Sequence, residues 1–421
     1  MINKILSKTS VVYSLSSVLK AGIQLLVGFF IARYISKEDF GIWSSLNLII
    51  TYSILIQGGV INGLNLELPI ALGRRDEHFK NRLLSTSTVY IYFSLFILFV
   101  LGIIGYFLYI QSLSYKWRVG YISVTIISIF TIYQDYLTAT FRTPESFKRL
   151  SKLNFIQSLV NLLTITLIIY YSYYGLVIKS LITMIIYVSL LHIYRPYKVN
   201  LRFSKDILLN LLKTGMPIFI LAYIQAAAFS FDRVLLIKYF KMEDVGIYSF
   251  AYLSFTAITL LSSSLASYIY PTMTYLYAET NDEMKLWSYL KSNVFKIIMA
   301  LFFLGSIGFF LLPYALEQFF PIYKSSEKCM KILLFAGVFN GSTIGVNVLL
   351  SIKKWRLIII YHLLFSSLLI VLPYTALRYF NESIENVAYA ILFANIINFF
   401  IAYLLVYFGL FRVNQNDKRT A

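Results

Sequence analysis

The sequence has little charge, almost no cysteine and few histidines. Only 13% of its 421 residues are charged while 59% are hydrophobic, and this composition excludes an ordinary water-soluble domain. The single cysteine, Cys329, excludes a disulfide framework and a thiolate metal cluster. Because His78, His192 and His362 show no metal-ligand spacing, we expect no metal cofactor.

Motifs for nucleotide binding and hydrolysis are also absent from the sequence. It contains no G-x-x-x-x-G-K-[ST], no G-x-G-x-x-G after a strand, no H-E-x-x-H and no G-x-S-x-G. A membrane-embedded glycan transferase or polymerase is an alternative, but it would need catalytic groups in a substantial extramembrane loop. The segments between the apolar runs are short, so we expect no enzymatic activity.

Long apolar runs dominate the sequence instead. A bilayer-spanning helix needs about 20 mostly apolar residues. No basic segment and cleavage site precede the first run, which we therefore expect to be a retained span and not a signal peptide. The sequence predicts an all-α polytopic membrane protein with about 12 spans: 11–34, 42–68, 84–110, 117–140, 153–172, 176–194, 214–237, 246–276, 293–316, 329–352, 357–380 and 387–411.

The distribution of basic residues predicts the orientation of these spans. If both termini are cytoplasmic, the inner tracts hold 24 of the 37 Lys and Arg residues, as the positive-inside rule requires. Topology therefore explains the net charge of +18. We expect no nucleic-acid partner.

A sequence repeat divides the chain into two modules. R-Y-I-S-K-E-D-F-G-I-W-S at 33–44 returns 205 positions later as K-Y-F-K-M-E-D-V-G-I-Y-S at 238–249. We expect residues 1–205 and 206–421 each to form a six-helix bundle, related by an axis along the membrane normal. The shared E-D-x-G-I motif is interpreted as a turn between the first two helices of each bundle, on the outer side.

Two charged residues lie inside the predicted spans of the first module. Lys20 shares a helical face with Gln24, and an ionised side chain at this depth costs about 3 kcal/mol on insertion scales. Asp135 shares a face of the fourth span with Arg142. We expect Lys20 to face a hydrated cavity. The alternative is that it pairs with a buried carboxylate or extends its ammonium group to the membrane interface. Asp135 marks either the structural partner of Lys20 or a proton or ion relay.

Other polar residues inside spans complete the set of candidate cavity residues. Gln225 occupies the repeat position of Lys20, so the second module keeps polarity there without the charge. For Asp232 and Arg233 the alternative is a structural ion pair, and for the amides the alternative is a helix–helix contact. The 35 tyrosines are interpreted as packing residues and interfacial anchors, with stacking on sugar rings as the alternative. The additional candidate cavity residues are Asn47, Gln225, Asp232, Arg233, Asn340 and Asn347.

Four short segments carry a resemblance to a known family. They are the basic N-terminal start, the end of the first span at 33–43, the loop L-G-R-R-D at 72–76 and the sequence L-K-T-G-M-P at 212–217. These segments resemble the polysaccharide biosynthesis flippases, the Wzx-type O-antigen transporters of the multidrug/oligosaccharidyl-lipid/polysaccharide (MOP) exporter superfamily. The resemblance implies a MATE-like fold of two six-helix bundles around a central cavity that opens alternately to each side.

The resemblance also implies a cargo and a location. The cargo would be an undecaprenyl-pyrophosphate-linked oligosaccharide, moved across the bacterial inner (plasma) membrane for O-antigen, lipopolysaccharide or capsule synthesis. Lys20 would grip the head group, with Arg142 at the cytoplasmic entrance. Besides membrane lipids, a polysaccharide polymerase and a chain-length regulator are candidate partners.

Two questions stay open at the level of the resemblance. No cofactor is implied, so the membrane potential or antiport of H+ or Na+ would drive transport. A drug/cation antiporter of the same superfamily is the alternative function. Such an antiporter would need buried carboxylates and not a buried lysine, so Lys20 favours the flippase.

Overall fold

The computed structural model describes residues 19–280, 282–380 and 382–411. Residues 11–18 of the first predicted span, the basic N-terminal start and the C-terminal tract at 412–421 lie outside these ranges. The described residues form fourteen α-helices and no strand: α1 19–34, α2 Lys37–Ser53, α3 Val60–Gly73, α4 Glu77–Gly105, α5 Tyr115–Thr140, α6 Pro144–Leu163, α7 Thr166–Ile193, α8 Lys205–Tyr239, α9 Met242–Thr280, α10 Glu283–Phe319, α11 Glu327–Gly341, α12 Asn347–Ser351, α13 Trp355–Tyr379 and α14 Ile384–Phe411.

Ten helical segments in the described part of the chain are long and apolar enough to cross a membrane. The protein is therefore a multi-pass membrane protein, and the predicted all-α class is confirmed. Helices also cover the other two predicted spans, as the described part of α1 and as α6. α6 starts at Pro144, and its first half carries Lys148, Arg149 and Lys152, which lower its hydropathy.

The predicted boundary between the fifth and sixth spans is wrong. α6 ends at Leu163, not at 172, and α7 begins at Thr166. Within α7 the helix is interrupted at Ser172, whose φ of 48° and ψ of −121° are not helical. Hydropathy did not reveal the turn because the apolar sequence continues through it, from Leu162 to Ile169.

The second predicted span is broken in its middle. After α2, a 3-10 turn at Ile54–Gln57 leads to Gly58 and Gly59, both with positive φ, and α3 follows. Glycine adopts this backbone region without the steric penalty of a side chain. The buried side chain of Gln57 bridges the break, because its Oε1 accepts from the backbone N–H of Ile61 at 3.1 Å. The tenth predicted span is likewise interrupted, by a 3-10 segment at Ser342–Val346.

The described chain divides into two compact units. Unit 1 contains residues 19–35 and 42–227, and unit 2 contains residues 36–41 together with the described residues from 228 to 411. α2 and α8 each contribute to both units. These units are defined by packing, whereas the modules 1–205 and 206–421 are defined by the repeat, so the module boundary at 205 stays a prediction.

Each unit has its own apolar core. In unit 1, buried residues of α3, α4, α5 and α7 pack with Ile207 and Leu211 at the start of α8. In unit 2, the largest cluster joins α9 and α10 with α13 and α14 around Met273, Leu290 and Val406. In water, burying apolar surface contributes about 25 cal/mol of stabilising free energy per Å². In a bilayer this contribution between helices is smaller, and close packing and polar contacts hold the helices together.

The repeated E-D-x-G-I motif forms helix starts in unit 2. Glu38 and Asp39 lie in the first turn of α2, and Glu243 and Asp244 lie in the first turn of α9. Acidic side chains are favourable there because the N-terminal end of a helix carries a partial positive charge. The interpretation of the motif as a turn is therefore corrected, since the turn itself ends before the acidic residues.

The two copies of the motif contact each other reciprocally. A Cβ added to Gly41 would lie 1.9 Å from the carbonyl oxygen of Met242, and one added to Gly246 would lie 1.8 Å from that of Lys37. Lys37 Nζ also pairs with Glu243 at 3.2 Å. Only glycine permits this approach of two helix backbones.

Candidate functional site

A lysine lies among polar and aromatic side chains in the interior of unit 1. Lys20, on α1, is partly exposed, and its Nζ lies 4.5 Å from the centre of the Tyr187 ring on α7. This is a cation–π contact, which stabilises an ammonium group that has lost part of its hydration. Lys20 also interacts electrostatically with Asp135 on α5. Three helices thus bring a cation, a carboxylate and an aromatic ring together.

Neighbouring amides orient these groups. The Tyr187 hydroxyl donates to Asn154 Oδ1 on α6 at 2.6 Å, and both residues are buried. Gln134 Nε2 approaches Asp135 Oδ1 at 3.5 Å. Lys20 and Asp135 keep partial exposure while the ring beneath Lys20 is fixed. The arrangement suits a cation that can still bind an anionic ligand.

The structure places the other unit 1 candidates in different surroundings. Gln24 is exposed on α1, and Gln225 is partly exposed on α8. The Asn47 amide donates to the Trp43 carbonyl of its own helix at 2.7 Å. Arg142 is partly buried in the segment that links α5 to α6. A cavity role for these four residues stays a prediction.

Asp232 and Arg233 form a closed network in unit 2. Asp232, only 1% exposed, accepts from the Tyr248 hydroxyl at 2.8 Å and faces Arg233 Nε at 3.5 Å. Arg233 also donates to the Phe229 carbonyl at 2.8 Å and lies 4.5 Å over the Tyr252 ring. These contacts match the structural ion pair that the sequence left open. A role in cargo binding stays a prediction.

The amides of the tenth predicted span differ in their contacts. Asn340 Nδ2 on α11 donates to Asn395 Oδ1 on α14 at 2.9 Å, and Asn395 in turn donates to the Ile391 carbonyl. Asn347, at the start of α12, is partly exposed and accepts from Ser351 Oγ through its carbonyl at 3.3 Å. Asn340 thus joins two helices, as amides inside membrane proteins do.

Unit 1 also contains a small cavity walled by tyrosines. Its volume is about 160 Å³. The Tyr133 hydroxyl and His192 Nδ1 lie 2.6 Å apart, and Arg195 bonds the other ring nitrogen of His192. Arg195 can only donate in this contact, whereas His192 and Tyr133 can each donate or accept. The polar and aromatic lining residues are Thr88, Tyr92, Tyr133, Tyr136, Thr140, His192, Arg195 and Tyr197.

Comparison with known proteins identifies the family. The family described as "Polysaccharide biosynthesis protein" matches residues 30–320. The chain belongs to the polysaccharide biosynthesis protein family. This match confirms the resemblance seen in the sequence. No curated protein sequence matches the chain.

Solved structures show which fold this polysaccharide biosynthesis protein has. It is similar to an inward-facing MATE multidrug resistance transporter of the MOP superfamily, with a TM-score of 0.74, 14% identity and 96% of each chain covered. It is also similar to the lipid II flippase MurJ in an inward closed conformation, with a TM-score of 0.73, 15% identity, and 94% of this chain and 87% of that chain covered. A MATE structure in a bent conformation gives a TM-score of 0.63 at 14% identity, covering 99% and 98%. The MATE-like fold predicted for the family is therefore confirmed.

Lys179 is a further charged residue in the interior of this family member, and it was not among the predicted candidates. Lys179 on α7 is only 4% exposed, and its Nζ donates to Asn161 Oδ1 on α6. The signal was visible, since Lys179 interrupts the apolar run 176–194. The tyrosine cavity had no comparable signal, because its lining residues come from helices far apart in sequence.

Proposed function

We propose that this polysaccharide biosynthesis protein is a flippase that moves a lipid-linked glycan with a phosphate-bearing head group between the leaflets of its membrane. One observation carries the proposal, namely the Lys20 ammonium held partly exposed inside a membrane-spanning unit. Family membership supports the glycan, and the MOP transporter fold supports movement across the membrane. The specific cargo is an undecaprenyl-pyrophosphate-linked repeat unit for O-antigen or capsule synthesis.

Lys20 differs from the other interior cations in its freedom to bind. Lys179 is fully buried against Asn161, and Arg233 belongs to the network around Asp232. Lys20 stands partly exposed over Tyr187, with Asp135 as its electrostatic partner. Oxygens of a diphosphate can replace Asp135 as the counter-charge, because phosphate and carboxylate both accept from an ammonium. Asp135 keeps Lys20 compensated while the site is empty.

The driving force follows from the charge of the cargo. An inside-negative membrane favours the outward transfer of each negative charge by about 2.3 kcal/mol per 100 mV. The membrane potential alone can therefore export a diphosphate. Antiport of H+ or Na+ through Asp135 is the competing scheme, and an Asp135→Asn variant that still transports under a potential would exclude it.

The topology completes the proposal. The resemblance to the O-antigen flippases supports the inner membrane of a bacterium, and the positive-inside rule supports cytoplasmic termini, because this orientation places most basic tracts inside. The protein has no catalytic step of its own. It delivers cargo to a polysaccharide polymerase and a chain-length regulator.

The test is reconstitution with a lipid-linked oligosaccharide, scored by access of an external lectin. We expect Lys20→Met to slow translocation at least about tenfold, the equivalent of one lost charge-assisted contact. Lys20→Arg should retain part of the rate because it keeps the cation. Lys285→Met, which removes an equal charge from an exposed position, is the matched control. Normal translocation by Lys20→Met would contradict the proposal that Lys20 binds the head group of the cargo.

A drug/cation antiporter is the second candidate function. The observation that favours it is the partly exposed carboxylate of Asp135 in α5, since a cationic drug needs an anionic partner. Uptake of a cationic dye into the same vesicles under a pH gradient distinguishes the two functions. Dye transport lost in Asp135→Asn, with no glycan translocation, would replace the flippase proposal.

A further inference from the structure

Unit 1 contains a second, larger cavity at the end where α4 begins. Its volume is about 570 Å³. One wall is a face of the first turns of α4, and the opposite wall is the segment 196–204 that joins α7 to α8. No residue that lines this cavity is acidic. The side chains that matter for binding are His78, Arg82, Thr86, Lys198, Arg202 and Ser204.

The segment 196–204, called the strap below, separates this basic cavity from the tyrosine cavity. The strap is not helical. Lys198, Asn200, Arg202 and Phe203 line the basic cavity, Tyr197 and Leu201 line the tyrosine cavity, and Val199 lines both. Side chains of extended backbone point alternately to opposite sides, so one short segment can serve both cavities. The strap therefore presents Lys198 and Arg202 to one cavity and Tyr197 and Leu201 to the other.

Contacts with α4 hold the strap in place. Arg82 Nη2 donates to Ser204 Oγ at 2.9 Å. Lys80 lies 5.1 Å from the Tyr197 ring and pairs with Glu77. Burial, with a smaller effect of Glu77, raises the pKa of Tyr197, so its phenol stays neutral. These contacts join the strap to the first turns of α4, which form the other wall of the basic cavity.

A buried hydroxyl in the wall lacks a partner. Thr86 is fully buried, and its Oγ1 forms no hydrogen bond. Leaving a buried polar atom unpaired is unfavourable, and native proteins usually satisfy such atoms. A hydroxyl can donate or accept, and because Arg82, Lys198 and Arg202 line the same cavity, the ligand that suits all four groups is an anion that accepts.

The geometry points to a binding site for the phosphate of an anionic membrane lipid, separate from the proposed cargo site at Lys20. Phosphate oxygens accept from Arg82, Arg202 and the Thr86 hydroxyl. An exposed apolar side chain adjoins the cations, since Phe203 lines the same cavity and is 57% exposed. A small inorganic anion would not bind to exposed apolar surface, whereas the acyl chains of a lipid can pack against it. The strap also joins two membrane-spanning helices, so the cavity lies at the bilayer surface.

The test uses the purified full chain in neutral detergent with phosphatidylglycerol as the probe. Phosphatidylcholine and inorganic pyrophosphate are the comparison ligands, and a polyprenyl diphosphate represents the cargo head group. Native mass spectrometry measures retention of each ligand. We expect wild type to retain phosphatidylglycerol over phosphatidylcholine, with affinity falling roughly fivefold for each cation removed in Arg82→Gln and Arg202→Gln.

Matched variants separate the site from general surface charge. Arg74→Gln with Lys152→Gln removes two exposed cations outside the cavity and should leave binding unchanged. Thr86→Val removes the unpaired hydroxyl with little change of shape, so it should weaken lipid retention without lowering the melting temperature. This variant also keeps the test decisive if Arg82→Gln loosens the strap.

Four results would overturn the inference. Equal lipid retention by wild type and the double cavity variant would remove the site, and an equal loss in the control pair would reduce it to surface charge. Binding of pyrophosphate as tight as that of the lipid would identify a free anion as the ligand. Retention of the polyprenyl diphosphate alone would assign the cavity to the cargo. Because Lys20→Met leaves this cavity intact, failure of the flippase proposal would not affect the result.

Discussion

Gly41 on α2 and Gly246 on α9 pack backbone against backbone in unit 2. A Cβ on Gly41 would lie 3.0 Å from the nitrogen of Gly246, and a Cβ on Gly246 would lie 3.1 Å from the nitrogen of Gly41. The two residues are equivalent positions of the sequence repeat. The duplication is therefore visible as a direct contact between its two copies.

Substitution of either glycine should destabilise the protein. Gly41→Ala or Gly246→Ala forces a methyl group into a carbonyl oxygen of the opposite helix, and overpacking of this kind costs about 1–3 kcal/mol. Thermal unfolding in detergent, followed by size-exclusion chromatography, measures the loss. Gly22→Ala and Gly73→Ala are the controls, because a Cβ at those positions meets nothing within 4 Å. Equal melting temperatures for all four variants would contradict the contact.

The buried Lys179 and its acceptor Asn161 should act on stability and not on transport. Asn161→Leu leaves the Lys179 ammonium without its acceptor, which should cost about 2 kcal/mol. Lys179→Met combined with Asn161→Leu should recover most of that loss, because replacing both partners by apolar groups removes the unpaired charge. Melting temperatures of the single and double variants test this. A double variant as unstable as Asn161→Leu alone would show that the ammonium has another role.

The network of Asp232 should likewise be structural. Asp232→Asn leaves the partly buried Arg233 without its counter-charge, and breaking such a pair costs about 3 kcal/mol. Tyr248→Phe removes a single hydrogen bond to Asp232, so a loss of about 1 kcal/mol is expected. Unfolding in detergent gives both values. If Tyr248→Phe kept its stability but lost glycan translocation, the network would belong to the cargo path.

Charged residues inside apolar runs are visible in the sequence alone. Lys20 and Asp135 each place a charge inside such a run, and their electrostatic interaction pairs two residues that would be costly alone, while their role in binding stays a prediction. Lys179 carries the same signal. The helix ends at Ser53 and Leu163 could not be predicted, because hydropathy measures the affinity of a segment for lipid and not the path of its backbone.

The two cavities of unit 1 could not be predicted from the sequence for a different reason. The tyrosine and basic cavities exist only because the strap at 196–204 runs between elements distant in sequence, and no local period indicates which residues it faces. The alternation of Tyr197 and Lys198 is visible in the sequence, but it gains meaning only once α4 lies alongside. Tertiary packing thus decides what local composition leaves undetermined.

The break after α2 has a consequence for how mutations act in this membrane span. Most positions in such a helix tolerate any apolar side chain, since the main chain supplies its own hydrogen-bond acceptors. At Gln57 the acceptor for the Ile61 N–H is a side-chain oxygen. Asparagine is one methylene shorter and leucine has no acceptor, so the path of the backbone at this level depends on the identity of a single residue. The main-chain conformation of this membrane span therefore depends on one side chain, and a mutation at Gln57 changes the path of the backbone as well as the local polarity.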